Sequence, residues 1–140
     1  MDNIEKGLFL KLFNRGGQVL DFTTADFDAF TMESVGVAVY SKYGLSKGKS
    51  LVKFISESSE ENANKLLLDL LRYYENLYRD FKKECDTRIT PLNTWGTGVD
   101  YGEYYRKCKV IANRLESIFF QRLLHNRSRK LFQVNISINK

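Results

Sequence analysis

Residues 60–85, EENANKLLLDLLRYYENLYRDFKKEC, decide the fold class of this 140-residue chain. Their large apolar side chains recur at the spacing of one helix face. They are Leu66, Leu67, Leu70, Leu71, Tyr74, Leu77, Tyr78 and Phe81. A stripe of this width is typical of a helix that buries one side. Ser58 and Glu61 have the spacing of a capping box, which predicts the helix start. We therefore predict a long central helix against which the other elements pack.

Five further helices are predicted from apolar spacing and capping residues. They span residues 4–13, 24–30, 34–43, 47–57 and 101–125. In the third of these, three valines alternate with small residues, which makes a strand the alternative. Gly16 and Gly17 are predicted to end the first helix, because a helix C-terminus often needs a left-handed residue. The chain is thus predicted to be mainly α, with five to six helices.

A small β element is predicted at the C-terminus. Residues 132–139, FQVNISIN, alternate apolar and polar side chains, which is the pattern of a half-buried strand. Residues 18–22 are the internal candidate partner. Otherwise the strand would pair with a following domain or with a second copy of the chain, giving a homo-oligomer. Residues 1–140 are predicted to form one compact domain.

Residues 86–100 are predicted to form a long loop, which holds Pro91 and Trp95. Long loops without regular structure are often functional. Trp95, Tyr101 and Tyr105 are therefore candidates for a recognition pocket. The alternative is that these aromatic side chains pack at the rim of an irregular loop.

Composition restricts the class of protein. The chain is 43% hydrophobic and 28% charged, which indicates a globular domain and not a disordered segment. No apolar run approaches the roughly 20 residues that cross a bilayer. The first residues lack the pattern of a signal peptide. We predict a cytoplasmic protein without membrane contact, in which Cys85 and Cys108 remain thiols.

The net charge of +5 is concentrated in residues 121–140, which contain no acidic residue. The basic residues there are Arg122, Arg127, Arg129, Lys130 and Lys140. Residues 1–120 are neutral overall, with 17 basic and 17 acidic side chains. A basic segment favours an acidic partner, such as nucleic acid or an acidic surface of another domain. The alternative is a solvated basic tail.

Residues 44–50, GLSKGKS, are similar to a phosphate loop but depart from it in length. A phosphate loop has four residues between its first glycine and the Gly-Lys-Ser, and here there are three. Nucleotide hydrolysis is therefore not predicted. Two interpretations remain: a basic turn that caps a helix, or an anion contact at that helix N-terminus aided by Lys47 and Lys49. The candidate nucleic-acid or anion ligands are Lys47, Lys49, Arg122, Arg127, Arg129 and Lys130.

No catalytic residue, metal site or cofactor is predicted. His125 is the only histidine, and the two cysteines lack the spacing of a zinc site. The alternative function is a metal-dependent nuclease, for which Asp21, Asp26 and Asp28 could hold Mg²⁺. Capping and first-turn positions account for Asp26 and Asp28 without a metal.

Four stretches in the first half carry a family resemblance. They are residues 20–22 (LDF), 26–30 (DFDAF), 33–37 (ESVGV) and 43–51 (YGLSKGKSL). Together they resemble the third class of AbiJ N-terminal domains, which are modules of bacterial abortive-infection and related anti-phage proteins. The resemblance is strongest over residues 8–56, and the later helices agree in layout.

The resemblance implies a non-enzymatic sensor or adaptor domain. Such domains are usually fused to an effector, for example a nuclease, an NTPase or a HEPN region. We expect the chain to recognise an invader-derived ligand, either nucleic acid or a phage protein, and to control a linked effector. It is then either a domain separated from a longer protein or a standalone partner of the effector.

Overall fold

A computed structural model describes residues 1–77 and 100–138. In order, its elements are α1 (Asn3–Phe13), β1 (Asn14–Arg15), β2 (Gln18–Val19), α2 (Thr24–Val35), α3 (Val39–Tyr43), α4 (Lys47–Glu57), α5 (Glu60–Leu77) and α6 (Tyr101–Ile138). The mainly α fold with a small β element is confirmed. The chain divides into two compact units, Met1–Cys108 and Lys109–Lys140.

Helix α5 forms the centre of the first unit, as its apolar stripe predicts. It packs against α1, α2 and α4. The side chains that it buries are Ala63, Leu66, Leu67, Leu70, Leu71 and Tyr74. The capping residue lies one position later than predicted. Ser59, and not Ser58, accepts a hydrogen bond from the Asn62 N–H in the first turn. The predicted continuation to residue 85 lies outside the described residues, as does the predicted loop up to residue 99.

Glu60 joins the start of α5 to α1. Its carboxylate accepts hydrogen bonds from the Lys6 ammonium and from the Met1 amine, each at 2.8 Å. These two donors, Lys6 first, lower the pKa of Glu60 from 4.5 to about 2. The pair is therefore intact above pH 4.5, and its contribution to stability is lost as the pH falls towards 2.

Replacing Glu60 with glutamine is expected to lower stability slightly at neutral pH and not at all in acid. Because the Glu60 side chain is 56% exposed, solvent screening keeps its contribution below about 1 kcal/mol. The measurement is thermal unfolding of both proteins at about pH 7 and about pH 2. A difference of the same size at both pH values would contradict the assignment.

Gly16 and Gly17 form a hairpin turn, so the prediction that they cap α1 is wrong. Their φ angles are +59° and +89°, which are the values of a two-residue type I′ turn. The turn pairs Arg15 with Gln18 in an antiparallel register. Helix α1 instead ends at Asn14, which is already extended and whose N–H donates to the Leu10 carbonyl. A pair of glycines serves either role, and the pairing of the flanking residues decides between them.

The predicted C-terminal strand is wrong, because residues 132–138 belong to helix α6. From residue 103 onwards the sequence contains no glycine or proline to interrupt the helix. The proposed partner segment is also occupied, since Gln18–Val19 pairs with Asn14–Arg15. Helix α6 begins at the predicted residue, with the Asp100 carboxylate accepting from the Glu103 N–H. A homo-oligomer was predicted to form by pairing of the C-terminal strand. Within residues 100–138 the structure contains no such strand, so this mode of pairing is not available there.

The boundary between α2 and α3 lies later than predicted. Helix α2 continues to Val35 and closes at Gly36, whose φ is +73°. The strand alternative for this region is also wrong. Ala38, at the start of α3, has no side chain that could cap the helix. Side chains of α2 supply the caps instead: Asp28 accepts from the Tyr40 N–H at 2.8 Å, and Thr31 accepts from the buried Val39 N–H at 3.1 Å.

Candidate functional site

The hairpin turn contacts the first turn of α4 backbone to backbone. The Gly48 N–H donates to the Gly17 carbonyl at 2.9 Å. A Cβ added to Gly48 would lie 3.4 Å from the Gly17 backbone, so the glycine permits this close approach. Ser46 caps the helix, since its Oγ accepts from the Lys49 N–H at 3.2 Å. Two N–H groups that an anion would need at this helix N-terminus are thus already bonded within the protein.

Lys47 and Lys49 do not share an accessible surface. Lys47 is only 9% exposed, whereas Lys49 is exposed. Lys47 lies one helical turn before Leu51, a fully buried residue, and so belongs to the same face of α4. Of the two lysines, Lys49 is the one that a macromolecular ligand can reach.

The four other basic residues predicted to bind nucleic acid lie on α6. Arg122 is exposed on this helix. Arg127, Arg129 and Lys130 follow within the same helix, and their side chains lie outside the described part. At 1.5 Å per residue, residues 122–130 span about 12 Å of helix axis. The cluster is therefore carried by one continuous element.

The tyrosines predicted for a recognition pocket have packing partners in the first unit. The Arg15 guanidinium lies 3.6 Å from the centre of the Tyr101 ring, a cation–π contact between the hairpin and α6. Tyr105 is 7% exposed, and its hydroxyl donates to Glu75 at 3.1 Å. Little of the Tyr105 ring is thus available to a ligand. Trp95 lies outside the described residues.

The three aspartates considered for Mg²⁺ binding have separate structural roles. Asp21 accepts a hydrogen bond from the Tyr73 hydroxyl at 2.5 Å. Asp26 lies in the first turn of α2, where its N–H donates to the Thr23 cap. Asp28 caps α3. Within residues 1–77 and 100–138, no group of three or more histidine, cysteine, aspartate or glutamate side chains could hold a metal ion.

Cys108 is a buried thiol on α6. It is fully buried, and desolvation raises its pKa to about 12. Because the thiolate is the nucleophilic form, this cysteine is unreactive at neutral pH. Cys85 and the side chain of His125 lie outside the described residues.

In a Cys85→Ser variant, the remaining Cys108 is expected to resist Ellman's reagent in the native state at about pH 8. It should react fully once the protein is unfolded in denaturant. The matched Cys108→Ser variant reports the reactivity of Cys85 alone. Rapid modification of Cys108 in the native protein would contradict its burial.

Helices α3 and α4 carry three exposed lysines, of which the sequence predicts only Lys49 as a candidate ligand. We define the lysine face as Lys42, Lys49 and Lys53, which are all exposed. The Lys42 and Lys53 ammonium groups lie 5.4 Å and 5.5 Å from the centre of the Tyr43 ring. Desolvation and the hydrogen bond that Tyr43 donates to Glu57 raise the pKa of this tyrosine. The four-residue spacing of Lys49 and Lys53 was a signal in the sequence. The approach of Lys42 and Lys53 to the same ring depends on the turn at Gly44.

Comparisons with known proteins give no match: neither a family model, nor a curated protein, nor a solved structure is similar to this chain. Among the described helices, none combines the length and the apolar character needed to cross a membrane.

Proposed function

We propose that this chain is a non-enzymatic sensor or adaptor module of a bacterial anti-phage system, acting in the cytoplasm. In this proposal, α6 binds invader-derived nucleic acid, and binding changes how the module holds a linked effector. One observation supports binding to nucleic acid. Residues 121–138 lie on a single helix and include four basic residues and no acidic one. The anti-phage part rests on the sequence resemblance of residues 20–51.

A helical segment whose sequence contains several cations and no acidic residue suits binding to phosphate backbones. Each phosphate contact releases condensed counterions, which gives affinity that falls steeply with salt. Three of the four basic residues are arginines, whose planar guanidinium forms paired hydrogen bonds with phosphate. Backbone contacts carry little sequence information. The proposed sensor would therefore detect nucleic acid as a class and not by sequence.

A phage protein is the second candidate ligand, and exposed apolar side chains on α6 favour it. Leu123 and Leu124 are 51% and 47% exposed beside Arg122. Large apolar side chains next to arginine are typical of protein interfaces. An acidic protein surface would match the charge of this helix equally well.

Binding of labelled single-stranded and double-stranded DNA and RNA tests the proposal, at about 50 mM and about 200 mM salt with Mg²⁺ present. Products are separated on a gel. Salt-sensitive binding without cleavage supports a nucleic-acid sensor. Absence of binding at low salt refutes the nucleic-acid part and favours the protein ligand. Cleavage refutes the non-enzymatic assignment and directs mutagenesis to Asp21, Asp26 and Asp28.

A further inference from the structure

The lysine face carries positive charge that forms no ion pair with any carboxylate of the described residues. Residues 39–57 have a net charge of +3, with four lysines and one glutamate, although the whole of residues 1–120 is neutral. By contrast, two other described lysines of this unit form ion pairs, Lys6 with Glu60 and Lys65 with Asp69. Within the described residues, no carboxylate lies within ion-pair distance of the lysine face.

Two lysines of this face contact the same aromatic ring, that of Tyr43. Lys42 and Lys53 lie on different helices, and both ammonium groups approach the ring of Tyr43. Two carboxylates lie near these lysines along the fold: Glu57 accepts a hydrogen bond from the Tyr43 hydroxyl, and Asp28 accepts from the N–H groups that precede Lys42. In the part of the chain described, neither carboxylate forms an ion pair with Lys42 or Lys53. Like charges held at one ring repel each other, and a bound anion would relieve that repulsion.

We propose that the lysine face binds the phosphate backbone of nucleic acid, as a second contact surface in addition to α6. This inference rests on the proposed function and assigns it residues in the first unit. Phosphates repeat along a strand, so one strand can neutralise all three lysines at once. The contact must use side chains, because Gly17 and Ser46 already occupy two N–H groups at the start of α4. An acidic protein would need carboxylates placed to match these three lysines, whereas any nucleic-acid strand already carries regularly spaced phosphates. We therefore favour nucleic acid as the ligand of this surface.

A charge-matched pair of variants tests this surface in the full chain. Lys42→Gln, Lys49→Gln and Lys53→Gln are combined in the face variant. The control combines Lys65→Gln, Arg72→Gln and Lys107→Gln, which remove the same charge from residues already paired with Asp69 or Glu103. Circular dichroism and thermal unfolding establish that both variants are folded. Binding of labelled single-stranded DNA is then measured over a series of salt concentrations.

The face variant is expected to bind at least tenfold more weakly than wild type at low salt, with a salt dependence flatter by about 2 in the logarithmic slope. The control is expected to stay within a few-fold of wild type. Equal losses in both variants would show an effect of net charge alone and overturn the inference. If the wild type binds and the face variant binds as tightly, the inference fails while the proposed function stands. Absence of binding by the wild type would refute this inference together with the nucleic-acid part of the proposed function.

Discussion

Replacing Asp28 with alanine is expected to lower the free energy of unfolding by about 2 kcal/mol, because hydrogen bonds to a charged group are worth more than neutral ones. Asp28 lies on α2 and accepts from the N–H groups of Tyr40 and Ser41 and from the Ser41 hydroxyl. These are the capping contacts of α3, whose own first residues supply none. The measurement is urea unfolding followed by circular dichroism.

Asp28→Asn is the matched control for this effect. Its amide oxygen can still accept from the Tyr40 N–H, so a smaller loss of stability is expected than with alanine. An alanine variant as stable as wild type would contradict the capping role.

Mg²⁺ adds a second test, because a metal ligand would couple binding to stability. We expect Mg²⁺ to leave the difference between wild type and Asp28→Ala unchanged, and a stabilisation specific to wild type would support the nuclease alternative.

The second large effect is expected when Arg127, Arg129 and Lys130 are replaced together by glutamine. Loss of three phosphate contacts should flatten the logarithmic salt dependence by about 2 for single strands and nearly 3 for duplex DNA, and should weaken binding roughly a hundredfold at moderate salt. Glutamine is a good helix former, so the substitutions are compatible with α6. Affinity is measured by fluorescence anisotropy with labelled single-stranded and double-stranded DNA and RNA.

The charge-matched variant of Lys65, Arg72 and Lys107 serves as the control for α6 as well. It removes three positive charges from ion-paired positions and should bind nearly as wild type does. Unchanged affinity in the α6 variant would remove nucleic-acid binding from this helix. If such a variant lost binding to a phage protein instead, the second candidate ligand would gain support.

The central helix could be predicted because its apolar spacing alone identifies the element type. The apolar stripe of α5 is long and regular and follows a capping serine, so no other element type fits it. The burial of Lys47 could also have been predicted, since it lies four residues before Leu51 on the buried face of α4.

Other features depended on contacts that a local pattern does not contain. Residues 132–138 alternate as a strand does, but a helix that has already formed and meets no glycine or proline continues through them. The role of Gly16 and Gly17 depended on whether Arg15 and Gln18 pair. The lysine face depended on the turn at Gly44, which places Lys42 and Lys53 at the same ring.

The capping of α3 by α2 has a consequence for the order of folding. A five-residue helix is too short to be stable alone, because nucleation costs more than so few hydrogen bonds return. Helix α3 can therefore persist only after α2 has formed and presented Asp28 and Thr31 to its first N–H groups. Lys42 takes its place beside Tyr43 at that same step. The lysine face is thus absent from the unfolded chain and forms only when these neighbouring helices fold together.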